Sequence, residues 1–175
     1  MFKAFIPTFH ATSLYEVPVD FYAKHGIKNI LIDLDNTLGS YKDLHPRPQA
    51  VSQIEQLVKH GYNLLIISNN KGPRVRTYAD NLGVPCLSST RKPFKAKLRN
   101  FMKSHGFVPH ETILVGDQLL TDSLVAHNLG IKMLLVEKLV KEDQWTTRFN
   151  RLFDKPLRAH FKKKKKLTHW SHAYD

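Results

Sequence analysis

Apolar positions along the chain fall into short blocks separated by polar stretches. Five apolar runs, Asn29 to Ile32, Asn63 to Ile67, Val84 to Leu87, Thr112 to Val115 and Ile131 to Val136, each close on polar residues or glycine. Runs of this length bounded by turn signals fit strands covered on both faces, as in a parallel sheet. Between them, apolar residues recur at helical spacing. Pro48 to His60 puts Val51, Ile54, Leu57 and Val58 on one face, starts at a proline suited to a first turn and stops at Gly61. Pro73 to Leu82 repeats the arrangement with Val75, Tyr78, Ala79 and Leu82 before Gly83, and Pro93 to His105 with Phe94, Leu98, Phe101 and Met102 before Gly106. Thr121 is placed to cap a fourth helix ending near Gly130. Trp145, Phe149, Leu152 and Phe153 share helix spacing and are expected to pack on the sheet.

Alternating strands and helices predict an α/β fold: three layers, Rossmann-like, around a mainly parallel five-stranded sheet with right-handed crossovers. A chain of 175 residues is the size of one domain. The expected division is a domain over 1–155 and a basic tail over 156–175. Open parallel sheets bind ligands beyond the C-terminal ends of their strands, so chemistry is sought there.

Charge changes the picture next. Lys and Arg number 27 against 15 Asp and Glu, a formal net charge of +12, which attracts polyanions: nucleic acid, anionic headgroups or phosphorylated substrates. Lys162 to Lys166 form one uninterrupted run, and the body remains basic without it. No apolar run approaches the roughly 20 residues needed to span a bilayer, and the N-terminus lacks the apolar stretch of a secretory signal. Cys86 is the single cysteine, so no intramolecular disulfide can form, which favours a cytoplasmic setting; its apolar neighbours make it a core residue. His160, His169 and His172 have no diagnostic metal-ligand spacing.

Three of the predicted strands end in small polar or acidic groups: Asp33 and Asp35, then Ser68-Asn69-Asn70, then Gly116-Asp117. A parallel sheet brings the three clusters to one rim. Carboxylates gathered without cations repel and take up protons, whereas a hard divalent cation accepts carboxylates, waters and phosphate oxygens together. The cluster therefore calls for a metal.

Asp33-Leu34-Asp35-Asn36-Thr37 resembles the DxDxT signature of the haloacid dehalogenase superfamily of phosphotransferases. Ser68-Asn69 is similar to its second motif, Lys92-Pro93 to its third, and Gly116-Asp117-Gln118-Leu119-Leu120-Thr121-Asp122 to the GDxxxTD form of its fourth. The resemblance runs from about residue 27 to 136. It implies that Asp33 is the nucleophile, forming an aspartyl-phosphate, and that Asp35 protonates the leaving oxygen and then activates water. It implies Mg2+ held by the Asp33 carboxylate, the Asp35 carbonyl and Asp117, with Ser68, the backbone at Asn69 and Lys92 binding the phosphate. Lys92 is preferred to Lys95 and Lys97 because a proline follows it. Thr37, Gly116 and Asp122 are supporting residues, with Asp122 either on a metal-bound water or bracing the loop.

The intervals between motifs are filled by one helix and one strand each, leaving no room for an inserted cap. The resemblance thus narrows to the capless subfamily IIIA and its YqeG-like group, itself similar to the phosphatidylglycerophosphate phosphatases of mitochondria. It implies a large or exposed phosphorylated substrate, lipid-linked in that group, and peripheral contact with an anionic membrane through the tail and through Phe2, Phe5, Ile6 and Phe9. The same N-terminal residues serve equally as cover for a sheet edge. A binding-protein reading competes: the lysine run with Trp170 and Tyr174 would engage RNA or a ribosomal surface, with catalysis secondary or absent.

Overall fold

The unbroken apolar runs become strands because both faces of the sheet are covered. The computed structural model describes residues 2–140 and 145–173, with side chains of the second stretch from 152 onward. Its elements are β1 (Phe9–Ala11), α1 (Val19–Lys24), β2 (Asn29–Asp33), α2 (Pro48–Lys59), β3 (Asn63–Ile67), α3 (Pro73–Asp80), β4 (Cys86–Leu87), α4 (Ala96–Ser104), β5 (Thr112–Gly116), α5 (Leu124–Leu129), β6 (Lys132–Val136) and α6 (Trp145–Lys163). The sheet has six strands in the order β1-β6-β5-β2-β3-β4, and every pair is parallel. The expectation of five strands missed β1, which lies at one edge against β6.

Side-chain alternation sorts the core into two layers. Ile30, Ile32, Leu64, Ile66, Ile113 and Val115 face α1 to α3, meeting Phe21, Ile54, Leu57, Val75 and Tyr78. Leu31, Leu65, Ile67, Leu114 and Leu135 face the other way, onto Leu98 and Met102 of α4, Val125 of α5 and Phe161 of α6. Strands β2 and β5 are buried at every position, which leaves no polar side to betray their period.

Several helix faces differ from the expected ones. In α2 the buried residues are Ala50, Ile54 and Leu57, while Val58 is exposed. Helix α4 starts at Ala96 rather than Pro93, because residues 91–95 are used to present Lys92, and Phe94 is left 74% exposed. Thr121 caps nothing: it lies within a wide turn, Leu119–Ser123, that leads into α5, and Gly130 ends α5 in the left-handed conformation. Leu152 and Phe153 are 68% and 53% exposed rather than packed on the sheet; α6 docks instead through Asp154, Leu157 and Phe161. The side chains of Trp145 and Phe149 lie outside the described residues.

Residue 156, where the basic tail was expected to begin, falls inside α6. Beyond the lysines the chain returns to the sheet edge: His10 N donates to Thr168 O at 2.7 Å, His10 bridges His169, and Trp170 packs edge-on against Phe21. Of the N-terminal aromatics, Phe9 is in β1 and buried, Phe5 and Ile6 pack against the α4–α6 layer, and Phe2 is exposed. Cys86 is half-buried against the core, and burial raises its thiol pKa. Among the described residues no helix is long and apolar enough to cross a membrane.

Candidate active site

The chain switches direction across the sheet between β2, which continues to β3 and β4, and β5, which continues to β6. Asp33 ends β2 at that crevice. Immediately after it the strand geometry stops. Leu34 O accepts the amides of Leu38 and Gly39, Asn36 takes a positive φ of 67°, and Asp35 bridges Gly39. The tight loop buries Thr37 and directs Asp35 away from Asp33, towards the end of β3. There Asp35 Oδ2 accepts from Ser68 Oγ at 2.7 Å and Asn70 Nδ2 at 2.9 Å, and Oδ1 pairs with Arg74 Nη2. Sequence reasoning gave Arg74 and Asn70 no role; Asn70 was visible as part of the strand-end cluster, Arg74 only as one basic residue among many.

The carboxylates that converge are Asp33, Asp117 and Asp122, each offering an oxygen within 4.8 Å of the others, all buried. Asp35 is not among them, and Asp122, expected only as support, completes the group. Lys92 Nζ enters between two of the three, 2.5 Å from Asp33 Oδ1 and 2.6 Å from Asp122 Oδ1, with its side chain 3% exposed. Lys95 and Lys97 turn elsewhere, to the carbonyls of Asn128 and Ser88. Two of the three carboxylates thus share the Lys92 ammonium. Burial pushes the Asp33 carboxyl well above its ordinary range against the pull of Lys92, and Asp122, Asp117 and Asp35 add to the rise. Burial alone would lower the Lys92 ammonium, but Asp122 and Asp33 hold it above its ordinary range. A divalent cation would offset the repulsion among the three carboxylates, and an all-oxygen donor set fits a hard one.

Gly116 is what lets the group close. A Cβ at this position would lie 2.5 Å from Asp122 Cγ and 2.6 Å from Oδ2. Asp122 cannot retreat, since Oδ1 accepts from Lys92 and Oδ2 from Gln118 N at 3.1 Å. Gly116→Ala is therefore expected to lose about 1–3 kcal/mol of stability by overpacking and about 100-fold in phosphatase rate by displacing Asp122. Thermal unfolding and a phosphate-release assay on the purified variant check both; a wild-type rate would show that Asp122's position is immaterial.

Ser68 is fully buried, its Oγ donating to Asp35 and accepting from Asn70 N at 3.0 Å. The side chain of Asn69 brackets Lys92: Oδ1 accepts from Lys92 N at 2.7 Å and from Thr90 Oγ1 at 2.8 Å, while Nδ2 donates to Lys92 O at 3.0 Å. The end of β3 therefore holds both the lysine and Asp35. From the other side α6 reaches the loop after β5 through Asp154 and Arg158, neither of which the sequence marked out. The β2–β3, β3–β4 and β4–β5 connections carry one α-helix each, so among the described residues no cap covers the rim.

Residues 2–141 match the family described as mitochondrial PGP phosphatase. The protein described as "Probable phosphatase YqeG" of Bacillus subtilis (strain 168) is 28% identical over 162 residues, spanning 93% of this chain and 94% of its own. Among solved structures, an uncharacterized protein from Listeria monocytogenes serotype 4b is similar with a TM-score of 0.54 at 16% identity, over 67% of this chain and 85% of that one. A hypothetical protein from Xanthomonas campestris gives a TM-score of 0.54 at 15% identity over 79% of each chain. These two likenesses bear on the fold. The family match takes in all four strand-end motifs and most of the chain, which therefore belongs to the mitochondrial PGP phosphatase family and is a phosphatase of the haloacid dehalogenase type.

Proposed function

We propose that the protein is a Mg2+-dependent phosphomonoester hydrolase working through an aspartyl-phosphate on Asp33, with phosphatidylglycerophosphate as substrate. The observation that carries the proposal is the buried group of Asp33, Asp117 and Asp122, with the Lys92 ammonium seated between Asp33 and Asp122. Asp33, Asp117 and the Asp35 carbonyl are the ligands we assign to Mg2+; Asp122, already engaged by Lys92 and Gln118, braces them. When bound, Mg2+ would neutralise charge gathered on the transferring phosphoryl group.

The chain's own residues supply the remaining steps. Asp33 attacks phosphorus, the ester P–O bond breaks, and Asp35 in its protonated form gives the leaving oxygen its proton; Asp35 then takes a proton from water as the water attacks phosphorus, the P–O bond to Asp33 breaks, and inorganic phosphate leaves with the Asp33 carboxylate restored. The donors that hold Asp35 at rest, Ser68 Oγ and Asn70 Nδ2, sit where the phosphate is expected. Incoming phosphate oxygens take over those two donors and free Asp35 Oδ2 for proton transfer, while Arg74 keeps Oδ1. Lys92 fixes the Asp33 carboxylate and neutralises the group being transferred.

Family membership and the YqeG relative support a phosphatase and favour it over the RNA- or ribosome-binding reading. The lipid substrate is supported by the family's description, the uncapped rim and the formal charge of +12, which draws the chain to anionic surfaces. Phosphate release is expected from phosphatidylglycerophosphate in anionic vesicles, in preference to soluble sugar, nucleotide and aryl phosphates, and is expected to fall to background with a chelator and return with Mg2+. Release indifferent to chelation would overturn the metal, and preference for a soluble phosphomonoester would overturn the lipid.

A further inference from the structure

We infer that Asp154 and Arg158, both in α6 and both beyond the residues matched to the family, are positioning residues of the metal centre: they set the loop that carries Asp117. The inference rests on reading Asp117 as a metal ligand.

Asp154 is a carboxylate with 1% exposure, a placement that is costly unless its oxygens are used. They are used on the loop after β5. Oδ1 accepts from Leu119 N at 2.6 Å and Leu120 N at 3.3 Å, and Oδ2 lies 3.7 Å from Arg158 Nε, one turn further along α6. Arg158 Nη2 donates to Asp117 O at 2.7 Å. Its Nη1 donates to Glu137 Oε2 at 3.0 Å, and Glu137 also pairs with Lys162 at 3.0 Å and His10 at 3.2 Å. Helix α6 thus grips the loop directly after the Asp117 Cα, by Asp117's own carbonyl and by the amides two and three residues further on. Asp122 Oδ2 takes the one amide between, Gln118 N.

Such spending of buried charge is out of proportion to packing, which Leu157 and Phe161 already provide for α6. What it secures is the direction of one carboxylate. Groups of this kind, bonded to the backbone or side chain of a metal ligand, typically tune metal affinity by about 10–100-fold when removed.

The test is calorimetric titration of Mg2+ into the whole chain without substrate, with the Mg2+ dependence of phosphate release measured beside it. Arg158→Ala and Asp154→Asn are expected to weaken Mg2+ binding by about 10–100-fold and to raise the Mg2+ needed for half-maximal rate equally, with the rate at saturating Mg2+ within about threefold of wild type. Arg158→Lys, which keeps the charge but loses the planar fork, is expected to fall between. Lys162→Ala, which shares Glu137 but does not touch the loop, is expected to bind Mg2+ like the wild type. If Asp154→Asn does not fold, Arg158→Ala decides alone. Wild-type Mg2+ affinity in folded Arg158→Ala would overturn the inference and leave the metal reading standing; a wild-type chain that binds no Mg2+ would overturn both.

Discussion

Asp33→Asn is expected to lower phosphate release by about 10⁴-fold or more while leaving the protein folded. The amide is isosteric, so it fits the crevice, but its oxygen is too weak a nucleophile to displace an alkoxide from phosphorus. Folding should even gain slightly. Burial and three neighbouring carboxylates already raise the Asp33 pKa, and an uncharged side chain removes that repulsion. The informative measurement is single-turnover phosphate release together with thermal unfolding. A variant that turns over at the wild-type rate would remove Asp33 as the nucleophile, whereas one that fails to fold would require Asp33→Ser to decide the matter.

Lys92→Met should cost both stability and rate. The side chain is 3% exposed and is the ammonium shared by Asp33 and Asp122. Removing one partner of a buried charge pair ordinarily costs about 3–5 kcal/mol, here a fall of roughly 6–20 °C in Tm at neutral pH. Loss of one electrostatic stabiliser of the transferring group should lower the rate by about 10²–10³-fold. The pH dependence has a definite sign. Asp33 in the folded chain already titrates above its ordinary value of 3.8, and without the ammonium it titrates higher still. As pH rises past 3.8 the unfolded chain releases its proton first, so the folded state is favoured below that value and loses the advantage as pH climbs through the folded pKa. The deficit of Lys92→Met in metal-free protein should therefore be small near pH 4.5 and grow towards pH 7.5, and Mg2+ should recover part of it. A deficit that does not change with pH would mean that Lys92 acts through packing of its stem alone.

The motif residues were legible because parallel strands deliver their C-terminal ends to one rim, whatever the intervening helices do. Asp33, Ser68 and Asp117 needed only that rule and their order, whereas Lys92 was picked out by the family resemblance and the proline after it. Where the Asp35 side chain goes was not legible, since β2 ends at Asp33 and the left-handed Asn36 turns the next carboxylate towards Ser68 and Arg74. Asp122 joins the buried group because a wide turn, rather than a capped helix, follows β5. Strand β1 was hidden by brevity, three residues with a half-buried His10 in the middle. Pro156 concealed the length of α6, because a proline and a lysine run read as the end of structure, yet the helix continues through Pro156 and ends at Lys163, inside the run. Asp154 and Arg158 offered only an i,i+4 charge pair, which points to a helix and not to a site. Their partners on the Asp117 loop are backbone groups 34 to 41 positions away, and a hydrogen bond to a backbone group leaves no mark on sequence.

The edge strand has a consequence for how the chain assembles. Within the sheet β1 pairs with β6 alone, and the contact between Thr8 and Met133 closes a loop of 125 residues. Loop closure of that span is entropically unfavourable until the intervening sheet exists to present β6. During synthesis, then, the strand nearest the N-terminus must wait for almost the whole domain, with Phe5, Ile6 and Phe9 uncovered in the meantime. Since α6 follows β6, the brace on the Asp117 loop comes later still, so the crevice forms before the helix that steadies it has docked.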